Sequence, residues 1–162
     1  MSVYKFYAWL RENLLKYSVH TAEEAHKTGI PMMRPLPMVF PEDKEAVYWE
    51  DEYFYGSDLL VAPVHQEGEK RRIYFPSGSW INLLDFRKMV GGNRIFQVDV
   101  PIDKIPVYIR EGACILSVMN GELQLGQSMT YEKKNTVLMS RALNETSGKR
   151  YADGKEIEYN IL

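Results

Sequence analysis

Four prolines in eleven positions, Pro31, Pro35, Pro37 and Pro41, divide this chain. Proline has no N–H to donate and its ring clashes with the preceding turn, so neither a continuous helix nor a central antiparallel strand can cross the segment. It reads as a short, mostly buried strand at 31–35 that runs out into an extended loop. Ahead of it, Phe6, Leu10, Leu14 and Tyr17 recur at helical spacing. That stripe predicts one helix over 2–28 with a single buried side. Gly29 stands where a C-terminal cap belongs, and Pro31 forbids continuation.

Behind the prolines the pattern changes. Residues 42–56 are acidic and aromatic and read as a short helix at 43–49 followed by an irregular aromatic turn ending at Gly56. From Leu59 onward, short β-prone runs recur at 59–64, 71–75, 80–84, 94–100, 106–110 and 113–118, separated by turn residues. Closely spaced strands of this kind predict an antiparallel sandwich over 59–120. The remaining residues, 121–162, form a tail with a strand at 136–141 and a hairpin at 150–159 on an Asp153-Gly154 turn.

Composition removes several classes of function. Twenty basic and 22 acidic residues leave a formal charge of -2, without the basic excess of a nucleic-acid binder. Charges of both signs are interleaved, so no polybasic patch is available to a membrane surface. No apolar run approaches the roughly 18 residues of a membrane span. The opening Met1-Ser2-Val3-Tyr4-Lys5 leads into charged sequence, not a signal-peptide core, so the expected location is the cytoplasm. The one cysteine, Cys114, excludes an internal disulfide and reads as a buried thiol in an apolar run.

The residues able to carry chemistry are few. His20, His26 and His65 are too scattered for a metal site, and none is expected. No Gly-x-Ser-x-Gly elbow, phosphate loop or dinucleotide glycine motif is present, so no cofactor is expected. Asn144-Glu145-Thr146 matches a glycosylation sequon by pattern alone. Asp51 and Glu52, beside Trp49 and Tyr53, read either as a sugar site or as a solvated acidic turn whose aromatics pack. Adjacent residues point to different faces, which favours the turn. Asp99 and Asp103 flank Pro101 and read as turn formers. Arg34 lies in an apolar, proline-flanked strand and so needs a carboxylate. It is the one candidate substrate-binding residue, either orienting an active-site acid or held in a structural ion pair with Asp51 or Asp58.

One long helix and one short strand do not make a domain, because the helix must bury its stripe and the strand must pair its backbone groups. A helix-then-strand ending is how the last part of a parallel (β/α)8 barrel reads, and a whole barrel takes about 250 residues.

Several segments carry a resemblance. Glu24-Ala25-His26-Lys27-Thr28-Gly29-Ile30-Pro31-Met32-Met33-Arg34-Pro35-Leu36, Gly56-Ser57-Asp58-Leu59-Leu60-Val61-Ala62-Pro63-Val64 and Pro76-Ser77-Gly78-Ser79-Trp80 resemble glycoside hydrolase family 31. So do Gly91-Gly92 and the run from Val100 to Gly112 through Pro101-Ile102-Asp103-Lys104 and Tyr108-Ile109-Arg110-Glu111. The resemblance runs over about 6–118, in order. Family 31 holds α-glucosidases and α-xylosidases, built on a (β/α)8 barrel followed by β-sandwich domains. The resemblance thus implies a mixed fold. Residues 1–58 would be the last helix and strand of the catalytic barrel, 59–120 the proximal C-terminal sandwich, and 121–162 the start of a distal β domain. Tyr151-Ala152-Asp153-Gly154 resembles the acidic turn that opens that distal domain, with Ala152 in place of one aspartate. Lys16 stands where the family usually has proline in the helix.

Retaining α-glycoside hydrolysis needs two carboxyl groups about 5 Å apart. In the family both are aspartates on barrel strands upstream of every segment matched here, so no catalytic residue is expected in this chain. The expectation is a C-terminal piece of an α-glycosidase, most simply an α-glucosidase, that meets carbohydrate only within its parent. Its exposed helix face would then drive self-association. The alternative is a free-standing sandwich module that binds carbohydrate or a partner protein, with the helix as its docking element.

Overall fold

The computed structural model describes residues 2–85, 89–120, 124–128, 134–139, 147–152 and 155–160. They separate into two compact units, one of Ile30–Glu111 and one that joins Met1–Gly29 to Gly112–Leu162.

The first unit is built on antiparallel strands. A six-stranded sheet contains β1 (Met33–Pro35), β2 (Tyr53–Tyr55), β3 (Leu59–Val61), β5 (Ser79–Asn82), β6 (Met89–Gly91) and β8 (Val107–Arg110), in the order β1-β2-β3-β8-β5-β6. A two-stranded sheet pairs β4 (Lys70–Phe75) with β7 (Arg94–Asp99). Both contribute to one core: Phe54, Leu60, Trp80 and Tyr108 from the larger sheet, Ile73 and Phe75 from the smaller. The sandwich expected from the spacing of the β-prone runs is therefore present. β3 is buried at all three positions, as a continuous apolar run in mid-sheet should be.

The aromatic segment before Gly56 corrects the expected turn. Tyr53-Phe54-Tyr55 is a strand that alternates half-buried, buried, half-buried. It pairs with β1 on one side and β3 on the other. Gly56, at φ 65°, makes the reversal between β2 and β3 and donates its N–H to the Met32 carbonyl. β1 is consequently antiparallel to its neighbour and shares a sheet with the sandwich strands. The position expected to divide the two regions, 58/59, lies between the paired strands β2 and β3. Two more local readings change. The extended loop contains a one-turn helix, α3 (Leu36–Val39), whose proline sits in the first turn, where a missing N–H is harmless. The helix expected at 43–49 is a 3-10 turn at Ala46–Tyr48.

The second unit opens with two helices where one was expected, α1 (Val3–Asn13) and α2 (Leu15–Thr28). The break is at Leu14, whose backbone is non-helical (φ -91°, ψ 9°). Gly29 caps α2 in the left-handed conformation, its N–H on the Ala25 carbonyl, as the sequence pattern required. Both helices contact β9 (Cys114–Met119), which pairs with β10 (Lys134–Met139). Leu10, Leu14 and Tyr17 are all buried. The helix face expected to be exposed is thus largely covered, because β9, paired with β10, packs against both helices. β11 (Ser147–Ala152) and β12 (Lys155–Asn160) form the expected hairpin, with Ala152 opposite Lys155. Its Asp153-Gly154 turn and the Asn144 sequon lie outside the described residues.

Candidate functional site

The strongest concentration of charge in the sandwich unit gathers around Arg71. Lys70-Arg71-Arg72-Ile73 enters β4, and period-two alternation puts Arg71 on the face of Ile73 and Phe75, so a cation is carried inward. A buried guanidinium has to be met by acceptors. Arg71 is met by three groups. Nη2 lies 3.2 Å from Asp51 Oδ2 and donates to the Asp51 carbonyl at 3.0 Å. It also lies 3.9 Å from Glu52 Oε1, and Nη1 is hydrogen-bonded to His65 Nδ1. That same ring nitrogen is 3.0 Å from Asp51 Oδ2. A single imidazole nitrogen either donates or accepts, so a proton on Nδ1 favours Asp51 and its absence favours Arg71.

Asp51 and Glu52 both approach Arg71 Nη2, so they do not point to different faces as expected of neighbours, and Glu52 is no part of a solvated turn. Its side chain is wholly buried. Oε1 accepts the Tyr74 N–H at 3.0 Å, while Oε2 accepts nothing among the described residues. Burial raises its carboxyl to about 8, against the smaller opposing pull of the Tyr74 N–H and Arg71. Tyr74 itself donates to Asp43 Oδ2 at 2.6 Å, and burial and that acceptor both push its phenol upward. With Glu52 sealed from solvent, Asp51 and Glu52 cannot flank a glycosidic bond as an acid–nucleophile pair.

The aromatics beside these acids are committed to packing. The Trp49 indole stacks on Tyr74 (5.7 Å, 17°), gives its N–H to Glu45 Oε1 at 3.2 Å, and has the Arg72 guanidinium 5.7 Å from its ring centre. A cleft of about 350 Å³ runs past Trp49, Asp51, His65 and Arg71.

Arg34 is buried as expected and donates from Nε to the Pro31 carbonyl at 2.9 Å. It stands opposite Phe54 in the sheet and does not line the cleft. Of the two carboxylates expected near it, Asp51 is engaged by Arg71 and His65. His20, His26 and His65 are all exposed, Cys114 is half-buried, and Asp99 ends β7 while Asp103 occupies a turn. The sequence offers His65 only as a scattered histidine unsuited to a metal site, and it does not mark Arg71 as a site residue. The inward phase of Arg71 within β4 was the signal available.

The matched segments have structural work in this frame. Arg110 holds its guanidinium 4.9 Å from the Phe40 ring centre, 5.7 Å from Phe54 and 5.6 Å from Trp80, a cation enclosed by three aromatic faces. The family model described as "Glycosyl hydrolase family 31 C-terminal domain" matches residues 29–115. The chain belongs to glycosyl hydrolase family 31. The matched region begins at the C-cap of α2 and contains the whole sandwich unit, β1 included. Among family 31 relatives, the chain is 35% identical over 121 residues to an isomaltosyltransferase of Sporosarcina globispora, covering 74% of this chain and 11% of that protein. It is 32% identical over 114 residues to alpha-glucosidase 2 of Bacillus thermoamyloliquefaciens, covering 70% and 14%. Its fold is similar to that of a cycloalternan-forming enzyme from Listeria monocytogenes, solved in complex with a pentasaccharide substrate. The TM-score there is 0.85 at 28% identity, over 96% of this chain and 15% of that one. The chain therefore spans between 11% and 15% of each of these proteins.

Proposed function

We propose that this family 31 chain is the C-terminal portion of a retaining α-glycosidase acting on α-glucosides, and that its role is structural. The opening helices would close the catalytic barrel and the sandwich would brace it. The reading is supported by the extent of the family match, which covers a C-terminal domain, and by the α-glucosidase name of a relative. The observation that carries it is the complete burial of Glu52, which puts one carboxyl group of the adjacent Asp51–Glu52 pair out of reach of a substrate. The purified chain should give no turnover of a nitrophenyl α-glucoside. Sustained release of nitrophenol, lost on mutation of any carboxylate in the chain, would overturn the proposal.

A further inference from the structure

The cleft beside Trp49 is divided by charge. One part, about 350 Å³, is lined by Lys70, Arg71 and Arg72 together with the amides of Gln66 and Gln97. The adjoining part, about 510 Å³, is lined by Glu45, Glu50 and Tyr48. Trp49, Asp51, His65 and Arg72 belong to both. A ligand of net charge would be attracted by one half and repelled by the other. A neutral polyhydroxylated ligand uses both, since each hydroxyl can donate to a carboxylate and accept from a guanidinium or amide.

Two further features favour such a ligand. The Trp49 ring is occupied by Tyr74 and Arg72 and forms a wall. The Tyr48 ring beside it is 77% exposed, an aromatic face open to the apolar side of a pyranose. At the other end, the Arg71 side chain is only 5% exposed yet lines the cleft, a guanidinium fixed in place by Asp51 and His65.

We propose that this cleft is a saccharide-binding site that holds a neutral oligosaccharide without cleaving it. Tyr48 is the stacking platform, and Asp51, Arg71 and Arg72 grip the hydroxyls. The ligand class follows from the cleft itself. Turnover of a nitrophenyl glucoside, which would sink the structural role proposed above, therefore leaves this site standing.

The test is a titration of the full, isotope-labelled chain with isomaltotriose, followed by amide and side-chain NMR shifts, with inorganic phosphate titrated in parallel. Saturable shifts at Tyr48, His65 and Arg72 are expected with the trisaccharide. Tyr48→Ala should weaken binding about tenfold, and Tyr48→Phe, which keeps the ring, should restore most of it. Tyr48 is too exposed for truncation to disturb the core. Tyr4→Ala, at an 80% exposed ring on α1, should change nothing. Absence of shifts with isomaltotriose, shifts indifferent to Tyr48→Ala, or a response to phosphate alone would each overturn the proposal.

Discussion

Asn13 Oδ1 accepts the backbone N–H of Gly126 at 2.8 Å, across 113 residues of chain, while its Nδ2 donates to the Val118 carbonyl at 2.7 Å. The side chain is the last residue of α1 and wholly buried, so one amide ties a helix end to β9 and to the loop that follows. Replacing it by alanine strands a buried donor and a buried acceptor at once. Asn13→Ala should destabilise the chain by about 3 kcal/mol. Urea unfolding read by circular dichroism checks this, and a midpoint equal to that of the parent chain would contradict it.

Gly126 is constrained from a second direction. Its φ is +69°, and a Cβ there would lie 2.2 Å from the Phe6 ring. Gly126→Ala should lose about 2 kcal/mol from the left-handed backbone and the ring displacement together. Phe6 is a flexible, half-buried partner, so part of that loss should vanish in the Phe6→Leu background. A double-mutant cycle on unfolding free energies measures the coupling, and strict additivity would show that the ring is not the obstacle.

Glu52 sets a pH dependence whose sign can be worked out. Its folded-state value is about 8 against an ordinary 4.5. Between the two, the folded protein keeps a proton that the unfolded chain has released. The contribution to stability is therefore complete below about pH 4.5 and declines by about 1.4 kcal/mol per pH unit until the folded carboxyl ionises. Glu52→Gln keeps an acceptor for the Tyr74 N–H and removes the titration. Its thermal midpoint should vary less between pH 5 and pH 8 than that of the parent chain; parallel curves would refute the assignment.

The two glycines of the Gly91-Gly92 pair should respond differently. A Cβ on Gly92 would meet backbone atoms alone, 2.1 Å from the Pro76 carbonyl oxygen and 2.4 Å from that of Gly78. No described atom lies within 4 Å of a Cβ on Gly91. Gly92→Ala should cost about 3 kcal/mol or more, since backbone cannot step aside as a side chain can. Gly91→Ala should stay within about 0.5 kcal/mol of the parent. Thermal melts of the two variants decide it, and equal effects would rule the close approach out.

How much of this was legible beforehand depends on the range of the interaction. Local signals carried well. The Gly29 cap, the strands at 71–75, 94–100 and 106–110 and the hairpin near 150–159 each rest on a few consecutive residues, and periodicity, turn chemistry and proline's missing donor are properties of short segments. The family itself was readable for the same reason, in runs such as Gly56 to Val64. Arg71 was within reach too, through its phase in β4.

The sequence by itself determined where the chain reverses, which positions prefer burial and which family its motifs match. Only the tertiary structure decided which strands became neighbours. β1 paired with β2, and β9 paired with β10 under the opening helices. It also decided the fate of the charged residues, sealing Glu52 while leaving Asp51 to His65 and Arg71. Strand pairing and ion pairing are settled between residues tens of positions apart, where a short sequence window records what each side chain needs but not which distant group will supply it.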